Sequence, residues 1–187
     1  MSADNVTQLV LALLGFAVVA GALGWTSAGR AIWPPVSLAA LAAAAVVAAV
    51  ADEIASGRVS LTVLVTLAGL LAVVGGGPVT TRIFALADSA DPSTDPDNPE
   101  DSVAGAGEVL RGGAWIGSLE RLAVFAGLAA GFPEGVAVVL ALKGVGRFPD
   151  LRGDQGKGAA TERFIIGTFS SVLWAAACAG MVALVQR

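Results

Sequence analysis

The chain has 187 residues, of which 56% are hydrophobic, 6% aromatic and 14% charged, and its mean hydropathy is +0.78. This composition excludes an ordinary soluble domain and indicates a protein that lies largely in a lipid bilayer. The net charge of −4 argues against a basic surface for nucleic acid. Histidine is absent and Cys178 is the single cysteine. The usual zinc sites and a catalytic triad are therefore excluded. Carboxylate-only sites for Mg²⁺ or Ca²⁺ stay open, although we expect no metal and no cofactor.

Six apolar segments approach the roughly 20 residues that a helix needs to cross a membrane. They predict an all-α fold, a polytopic transmembrane helix bundle of about six spans. We expect Gly76-Gly77-Pro78 to end the third segment. The fifth segment spans the membrane if Lys143 and Arg147 snorkel to the interface, and it is re-entrant otherwise. The six segments are 6–25, 32–51, 59–75, 113–131, 135–147 and 164–185.

Lysine and arginine in the loops predict the orientation, because both are enriched on the cytoplasmic side of membrane proteins. The other side carries only Arg58 and Arg187. The first segment has no preceding Lys or Arg, so we interpret it as a span and not as a secretory signal. We expect a multipass protein of the cell membrane with both termini extracytoplasmic. The bases assigned to the cytoplasmic side are Arg30, Arg82, Arg111, Lys143, Arg147, Arg152, Lys157 and Arg163.

An acidic, proline-rich stretch at 82–111 separates two halves of the chain. Its prolines break helices, and its acidic residues favour a solvated, disordered segment. We predict a linker between an N-terminal three-span unit, 1–81, and a C-terminal three-span unit, 112–187. The alternative is a cation-binding or partner-docking loop, although the stretch lacks the glycine and the terminal glutamate of a calcium loop.

The first of two Glu-Arg pairs, Glu120-Arg121, lies inside the fourth segment. Small residues spaced by four favour close helix packing in lipid, so we expect the glycine face of this helix to meet other helices. Arg121 lies about 100° around the helix from Glu120. We therefore expect each of the two to find a partner on a neighbouring span. The residues that share the face of Glu120 are Gly113, Gly117, Val124, Gly127 and Gly131.

The second pair, Glu162-Arg163, stands at the start of the sixth segment. Arg163, Gly167 and Ser171 follow one another at four-residue spacing, which predicts a small-residue packing stripe with Arg163 at its cytoplasmic end. On the fifth segment Lys143 and Arg147 have the same spacing and share one face, also at the cytoplasmic end.

The predicted topology brings six charged residues to the cytoplasmic leaflet or its edge. Four bases against two acids leave a positive surplus, which suits an anionic ligand such as a phospholipid head group or a phosphorylated metabolite. Ionisable residues in membranes are costly and often functional. The alternative is an ion-pair network that fixes helix register. The predicted cluster consists of Glu120, Arg121, Lys143, Arg147, Glu162 and Arg163.

Three motifs stand out between 113 and 171: Ile116-Gly117-Ser118-Leu119-Glu120-Arg121, a Lys143 helix ending near Arg147-Phe148, and Glu162-Arg163-Phe164-Ile165-Ile166-Gly167-Thr168. Together they resemble an uncharacterised family of bacterial multipass membrane proteins, a domain of unknown function. The resemblance implies the bacterial inner membrane and the importance of these positions, and it implies no activity.

Three functions compete. The first is a small transporter or a protein that binds anionic lipid or a small anion at the charged cluster. The second is a structural or accessory subunit whose charges serve assembly with a membrane partner or in a homo-oligomer. The third is an enzyme acting on lipid-linked phosphate, with Glu120 and Glu162 as acid–base candidates. No catalytic motif supports it, so we do not assign catalytic residues.

Overall fold

The computed structural model describes residues 2–51, 57–90, 113–147 and 157–186. These residues form six α-helices and no strands, so the predicted all-α helix bundle is confirmed. The helices are α1 (Ala3–Leu23), α2 (Trp33–Val50), α3 (Arg58–Ala90), α4 (Gly113–Ala129), α5 (Glu134–Arg147) and α6 (Lys157–Val185).

Four helices in the described ranges are long and apolar enough to cross a membrane: α1, α2, α3 and α6. They support a membrane location. α4 and α5 have 17 and 14 residues, which gives lengths of about 26 and 21 Å. Both are shorter than a hydrocarbon core of about 30 Å. All six predicted segments are therefore helical, but the fourth and fifth form a shorter hairpin beside the long helices.

The expected end of the third segment at Gly76-Gly77-Pro78 is wrong, because α3 continues through Pro78 to Ala90. At 33 residues it is about 50 Å long. The predicted boundary between residues 81 and 82 falls inside this helix. The remainder of the predicted acidic linker, 91–111, and the loop alternative proposed for it lie outside the described residues.

α3 is the central helix of the bundle. It packs against α1, α4 and α6, and α2 packs mainly on α1. α3 therefore contacts helices from both halves of the chain. The apolar core follows this helix and includes Leu64, Leu71 and, from α6, Trp174 and Met181.

A tight turn joins α4 to α5 and aims α5 back along α4. Gly131 has a φ of 73°, a left-handed conformation that glycine adopts without strain. The Phe132 N–H donates to the Gly127 carbonyl at 2.8 Å, and the Gly131 N–H donates to the Leu128 carbonyl at 3.1 Å. This pair of bonds is the Schellman motif that ends many helices. The turn places Glu120 of α4 opposite Lys143 of α5.

Candidate functional site

Glu120 and Lys143 form an ion pair across the α4–α5 hairpin. The Lys143 ammonium donates to Glu120 Oε2 at 2.5 Å, and the two side chains are 16% and 19% exposed for Glu120 and Lys143 respectively. Each charge therefore has a partner on the neighbouring helix. The pair is electrically neutral and partly accessible.

Arg121 points in a different direction and is buried, with 5% of its surface exposed. Its Nη2 donates to the Val73 carbonyl and to Ser118 Oγ, both at 3.2 Å. Its Nη1 donates to Ser171 Oγ at 3.4 Å. The guanidinium thereby joins α3, α4 and α6.

The charge of Arg121 is not matched by a directly bonded acid. Among the described residues, no carboxylate forms an ion pair with it, and its three acceptors are neutral oxygens. The Nε atom of Arg121 is buried and has no hydrogen-bond partner among the described residues. Buried charges are normally paired or bound to a ligand. Arg121 is therefore the unusual member of the predicted cluster.

The surface beneath Arg121 is the glycine segment of α3, which we define as Gly75-Gly76-Gly77-Pro78. A Cβ on Gly76 would lie 2.6 Å from Arg121 Nε, closer than real Cβ contacts come. A Cβ on Gly75 would lie 2.6 Å from Trp174 Cζ2, and one on Gly77 would lie 2.5 Å from Trp25 Cζ2. The absence of side chains here admits three flat groups: Trp174 at Gly75, Arg121 at Gly76 and Trp25 at Gly77.

The same three side chains donate hydrogen bonds to carbonyls of the preceding turn of α3. Trp174 Nε1 donates to the Leu71 carbonyl at 3.1 Å, and Trp25 Nε1 donates to the Val74 carbonyl at 2.9 Å. Pro78 has no N–H and so leaves the carbonyl four residues earlier, that of Val74, without its helical donor. Trp25 supplies the missing donor.

This arrangement explains why proline does not end α3. Transmembrane helices tolerate proline where neighbouring helices satisfy the freed backbone groups. The sequence contained a signal for this continuous helix. No charged residue lies between Arg58 and Arg82, and the three glycines and the proline fall within that uncharged stretch. That stretch is long enough to be one span. The donors come from distant parts of the chain, and local reasoning could not identify them.

The second Glu-Arg pair lies apart from the first. Glu162 is exposed, and the Arg163 guanidinium lies 4.4 Å from the centre of the Phe84 ring on α3. Arg163 and Ser171 are eight residues apart on α6, which corresponds to about 12 Å along the helix. The structure thus brings Glu120, Arg121 and Lys143 together and places Arg163 at a second level of the bundle. The Arg147 side chain lies outside the part of the chain that the structure describes.

The predicted packing residues differ in what they contact. On α6, Ser171 binds Arg121, and a Cβ on Gly167 would lie 2.9 Å from Phe84 Cζ. On α4, a Cβ on Gly117 would meet only Arg121 of its own helix, and one on Gly127 would meet the Phe132 carbonyl of the turn. Gly131 serves the turn and Gly113 begins the helix. The backbones of α1 and α3 approach each other closely, since a Cβ on Gly21 would lie 2.9 Å from Gly75 Cα.

A small cleft opens at the first level, between α4, α5 and α6. It measures about 220 Å³ including the space that is open to the outside. Most of that volume is open space, and the enclosed part holds about one water molecule, so a larger group would bind at the mouth of the cleft. In the described residues, no three His, Cys, Asp or Glu side chains gather as they would around a metal. Its lining consists of Glu120, Arg121, Val124, Val139, Leu140, Lys143, Ser171 and Val172.

The chain matches no protein-family model, no curated protein and no solved structure. The family resemblance of the C-terminal half therefore stays a prediction, and the functional argument depends on the site itself.

Proposed function

We propose that this membrane protein binds a small anion at Arg121, as a small transporter or as a protein that binds anionic lipid. The observation that carries the proposal is the buried Arg121 guanidinium, which has no carboxylate partner in the described residues and keeps one N–H without an acceptor. Removing a cation from water without a counter-charge is costly. An anion in the adjoining cleft would offset that cost.

The charges around the cleft favour an anion over a cation. Glu120 and Lys143 neutralise each other, so Arg121 leaves the lining with one positive charge in excess. The Lys143 ammonium and the Ser171 hydroxyl supply further donors beside it. The glutamate keeps the site from being strongly positive when it is empty.

The chemistry of the donors favours a phosphate group. A guanidinium offers parallel N–H donors that match the oxygens of phosphate. We expect one such group at the mouth of the cleft, whether it belongs to free phosphate or to a lipid head group that reaches in from the bilayer. The shared chemistry is therefore a tetrahedral oxyanion, and the experiment below separates its two sources.

The proposal places the site near the cytoplasmic side of the cell membrane, with both termini extracytoplasmic. This orientation comes from the distribution of Lys and Arg in the loops. It does not depend on whether the α4–α5 hairpin crosses the bilayer, because two additional crossings return the chain to the same side.

The alternative is an accessory subunit in which the charges serve assembly. The observation that favours it is the Glu120–Lys143 pair, which already provides an ion-pair link that fixes the register of α4 and α5. The bonds from Arg121 to α3 and α6 act in the same direction. Under this alternative, no anion is needed.

Denaturant unfolding of the purified protein, with and without anion, distinguishes the two. A ligand that binds only the folded state stabilises it by about 2.7 kcal/mol at 100 times its Kd. We expect phosphate at constant ionic strength to stabilise the wild type in detergent, or phosphatidylglycerol to do so in nanodiscs whose control lipid is phosphatidylcholine. The first result identifies a free anion and the second a lipid phosphate.

The matched variants are Arg121→Gln and Arg30→Gln, since Arg30 is an exposed arginine of the α1–α2 loop. We expect Arg121→Gln to abolish the anion-dependent gain and Arg30→Gln to retain it. Arg121→Lys keeps the charge without the fork and should bind with intermediate affinity. If neither phosphate nor phosphatidylglycerol stabilises the wild type, the anion proposal fails, and a protein that co-purifies stoichiometrically would then favour the accessory role.

A further inference from the structure

Two threonine hydroxyls inside the bundle have no hydrogen-bond partner among the described residues. They belong to Thr80 of α3 and Thr168 of α6, and both oxygens are buried. Other hydroxyls in these helices behave differently: Thr81 donates to the Gly77 carbonyl and Ser170 donates to the Ile166 carbonyl, each four residues earlier. A buried polar group without a protein partner is most often satisfied by water or an ion.

The register of α3 and α6 places the two hydroxyls between the two arginines. On α3, Gly76, Thr80 and Phe84 recur every four residues and share one face. Gly76 contacts Arg121 and Phe84 contacts Arg163, so Thr80 lies one turn from each level.

On α6, Thr168 lies between the same two levels of the bundle. It follows Gly167, which packs on Phe84, and it lies one turn before Ser171, which binds Arg121. α3 and α6 pack against each other, with Gly167 against Phe84 and Trp174 against Gly75. The buried Nε of Arg121 is also without a partner in the described residues. All of these unsatisfied polar groups therefore belong to the three helices that meet around Arg121.

We propose that α3 and α6 enclose a narrow hydrated seam between Arg163 and Arg121, and that this seam is a second route, besides the open cleft, by which a small anion reaches Arg121. Water in the seam would satisfy the hydroxyls of Thr80 and Thr168. The presence of water in the seam follows from these hydroxyls alone, whereas the passage of an anion through it rests on the proposed anion site.

Phe84 closes the end of the seam beside Arg163. Its side chain is 6% exposed, and its ring occupies the space that a Cβ on Gly167 would need. The Arg163 guanidinium lies over the same ring at 4.4 Å. The aromatic ring limits what passes at this end of the seam.

Cysteine accessibility tests the seam in the full-length protein in membranes. The background is Cys178→Ala, which removes the buried native thiol, and the test variants are Thr80→Cys and Thr168→Cys. Ala68→Cys is the control, because Ala68 is fully buried in the apolar core on the same helix. The probes are an anionic and a cationic methanethiosulfonate reagent of similar size.

We expect both test variants to react and the Ala68→Cys control to remain unmodified. The anionic reagent should react about tenfold faster than the cationic one, because the positive charge of Arg121 at the inner end of the seam would concentrate anions by about that factor or more. Adding Phe84→Ala should raise the rate further, and adding Arg121→Gln should remove the preference for the anionic reagent.

Modification rates at Thr80→Cys and Thr168→Cys as low as that of the Ala68→Cys control would overturn the seam. The result is separable from the proposed function. If the two cysteines react but phosphate does not stabilise the protein, the hydrated seam stands and the proposal that it carries an anion fails. A dry seam with phosphate-dependent stabilisation would leave the anion site and remove this route to it.

Discussion

The two Glu-Arg pairs have the same residues in the same order, and the fold uses them in opposite ways. In the first pair, Glu120 reaches Lys143 at the partly exposed edge of the α4–α5 hairpin, and Arg121 is buried. In the second, Glu162 is exposed and Arg163 lies on an aromatic ring. The difference arises on α3, which presents Gly76 to the first arginine and Phe84 to the second.

The comparison shows that the residue opposite an arginine decides how deeply it is buried. Gly76 leaves room for a guanidinium to lie against the helix backbone and to reach a carbonyl. Phe84 fills that room and offers only its ring face, to which a cation is attracted. Substitutions at the two arginines and at the residues around them test this difference in burial.

The largest effect is expected from Gly76→Leu, which places a side chain where Arg121 lies. Overpacking typically costs about 1–3 kcal/mol, and we expect the upper end of that range, because both Arg121 and Trp174 would have to move. Unfolding of the purified protein in SDS measures the loss of free energy. Gly15→Ala is the control, since nothing lies within 4 Å of its new Cβ, and it should be neutral or slightly stabilising. A Gly76→Leu protein as stable as the Gly15→Ala control would refute the close contact between Gly76 and Arg121.

The next effect is expected at the two tryptophans that flank Arg121 on the glycine segment. Trp25→Phe removes the donor that replaces the missing N–H of Pro78, and we expect a cost of about 1 kcal/mol, the typical net value of a hydrogen bond. In a Pro78→Ala background the helix regains its own donor, so the same substitution should cost less. A double-mutant cycle in SDS unfolding measures the coupling. Additive costs would show that Trp25 does not substitute for the proline N–H. Trp174→Phe is the comparison variant at the fully buried neighbour, where the cost should not depend on Pro78.

A similar or smaller effect is expected from the ion pair on the α4–α5 hairpin. Glu120→Gln and Lys143→Gln should each cost about 0.2–1 kcal/mol, because the pair is partly exposed and such pairs contribute modestly. The exchanged pair Glu120→Lys with Lys143→Glu should recover most of the loss in the same unfolding assay. Failure of the exchange to recover stability while both single variants are destabilised would assign the two side chains to separate partners.

The smallest effect is expected from Glu162→Gln in the second pair, which should be close to neutral because Glu162 is exposed. Arg163→Gln should cost about as much as the ion-pair variants, because it removes at least a cation–π contact, typically worth about 0.5–1 kcal/mol at accessible sites. A sharper measurement compares how much phosphate-dependent stabilisation each of the two variants, Arg121→Gln and Arg163→Gln, loses. We expect a large loss for the first and a small one for the second, and equal losses would contradict the separation of the two levels.

Much of the helix bundle could be predicted from the sequence, because apolar length and the absence of charge determine which segments enter a bilayer. The pairing of Glu120 and Arg121 with neighbouring helices followed from helical geometry, since adjacent residues on a helix face different directions. The meeting of all six charges in one cluster did not follow. Arg163 and Ser171 are two turns apart, and spacing along α6 alone was sufficient to separate the two levels.

The glycine segment shows why local rules failed at one point. A proline after three glycines normally ends a helix in water, because the freed carbonyls and the flexible backbone are not stabilised. In the bundle, Trp25 supplies the donor for Val74, and Trp174 and Arg121 pack where glycine leaves space. Contributions from the α1–α2 connection, α4 and α6 thus hold α3 together at its weakest turn.

The sequence by itself determined the class of this protein, its apolar helices and the few positions where charge enters them. These properties depend on composition and on periodicity within one segment. The tertiary structure alone decided that Arg121 is buried on Gly76 and that Arg163 stops at Phe84. The physical reason is that burial of a charge depends on the shape and the donors or acceptors of the neighbouring helix. For Arg121 the neighbouring residue is Gly76, which lies 45 residues away along the chain (121 − 76 = 45).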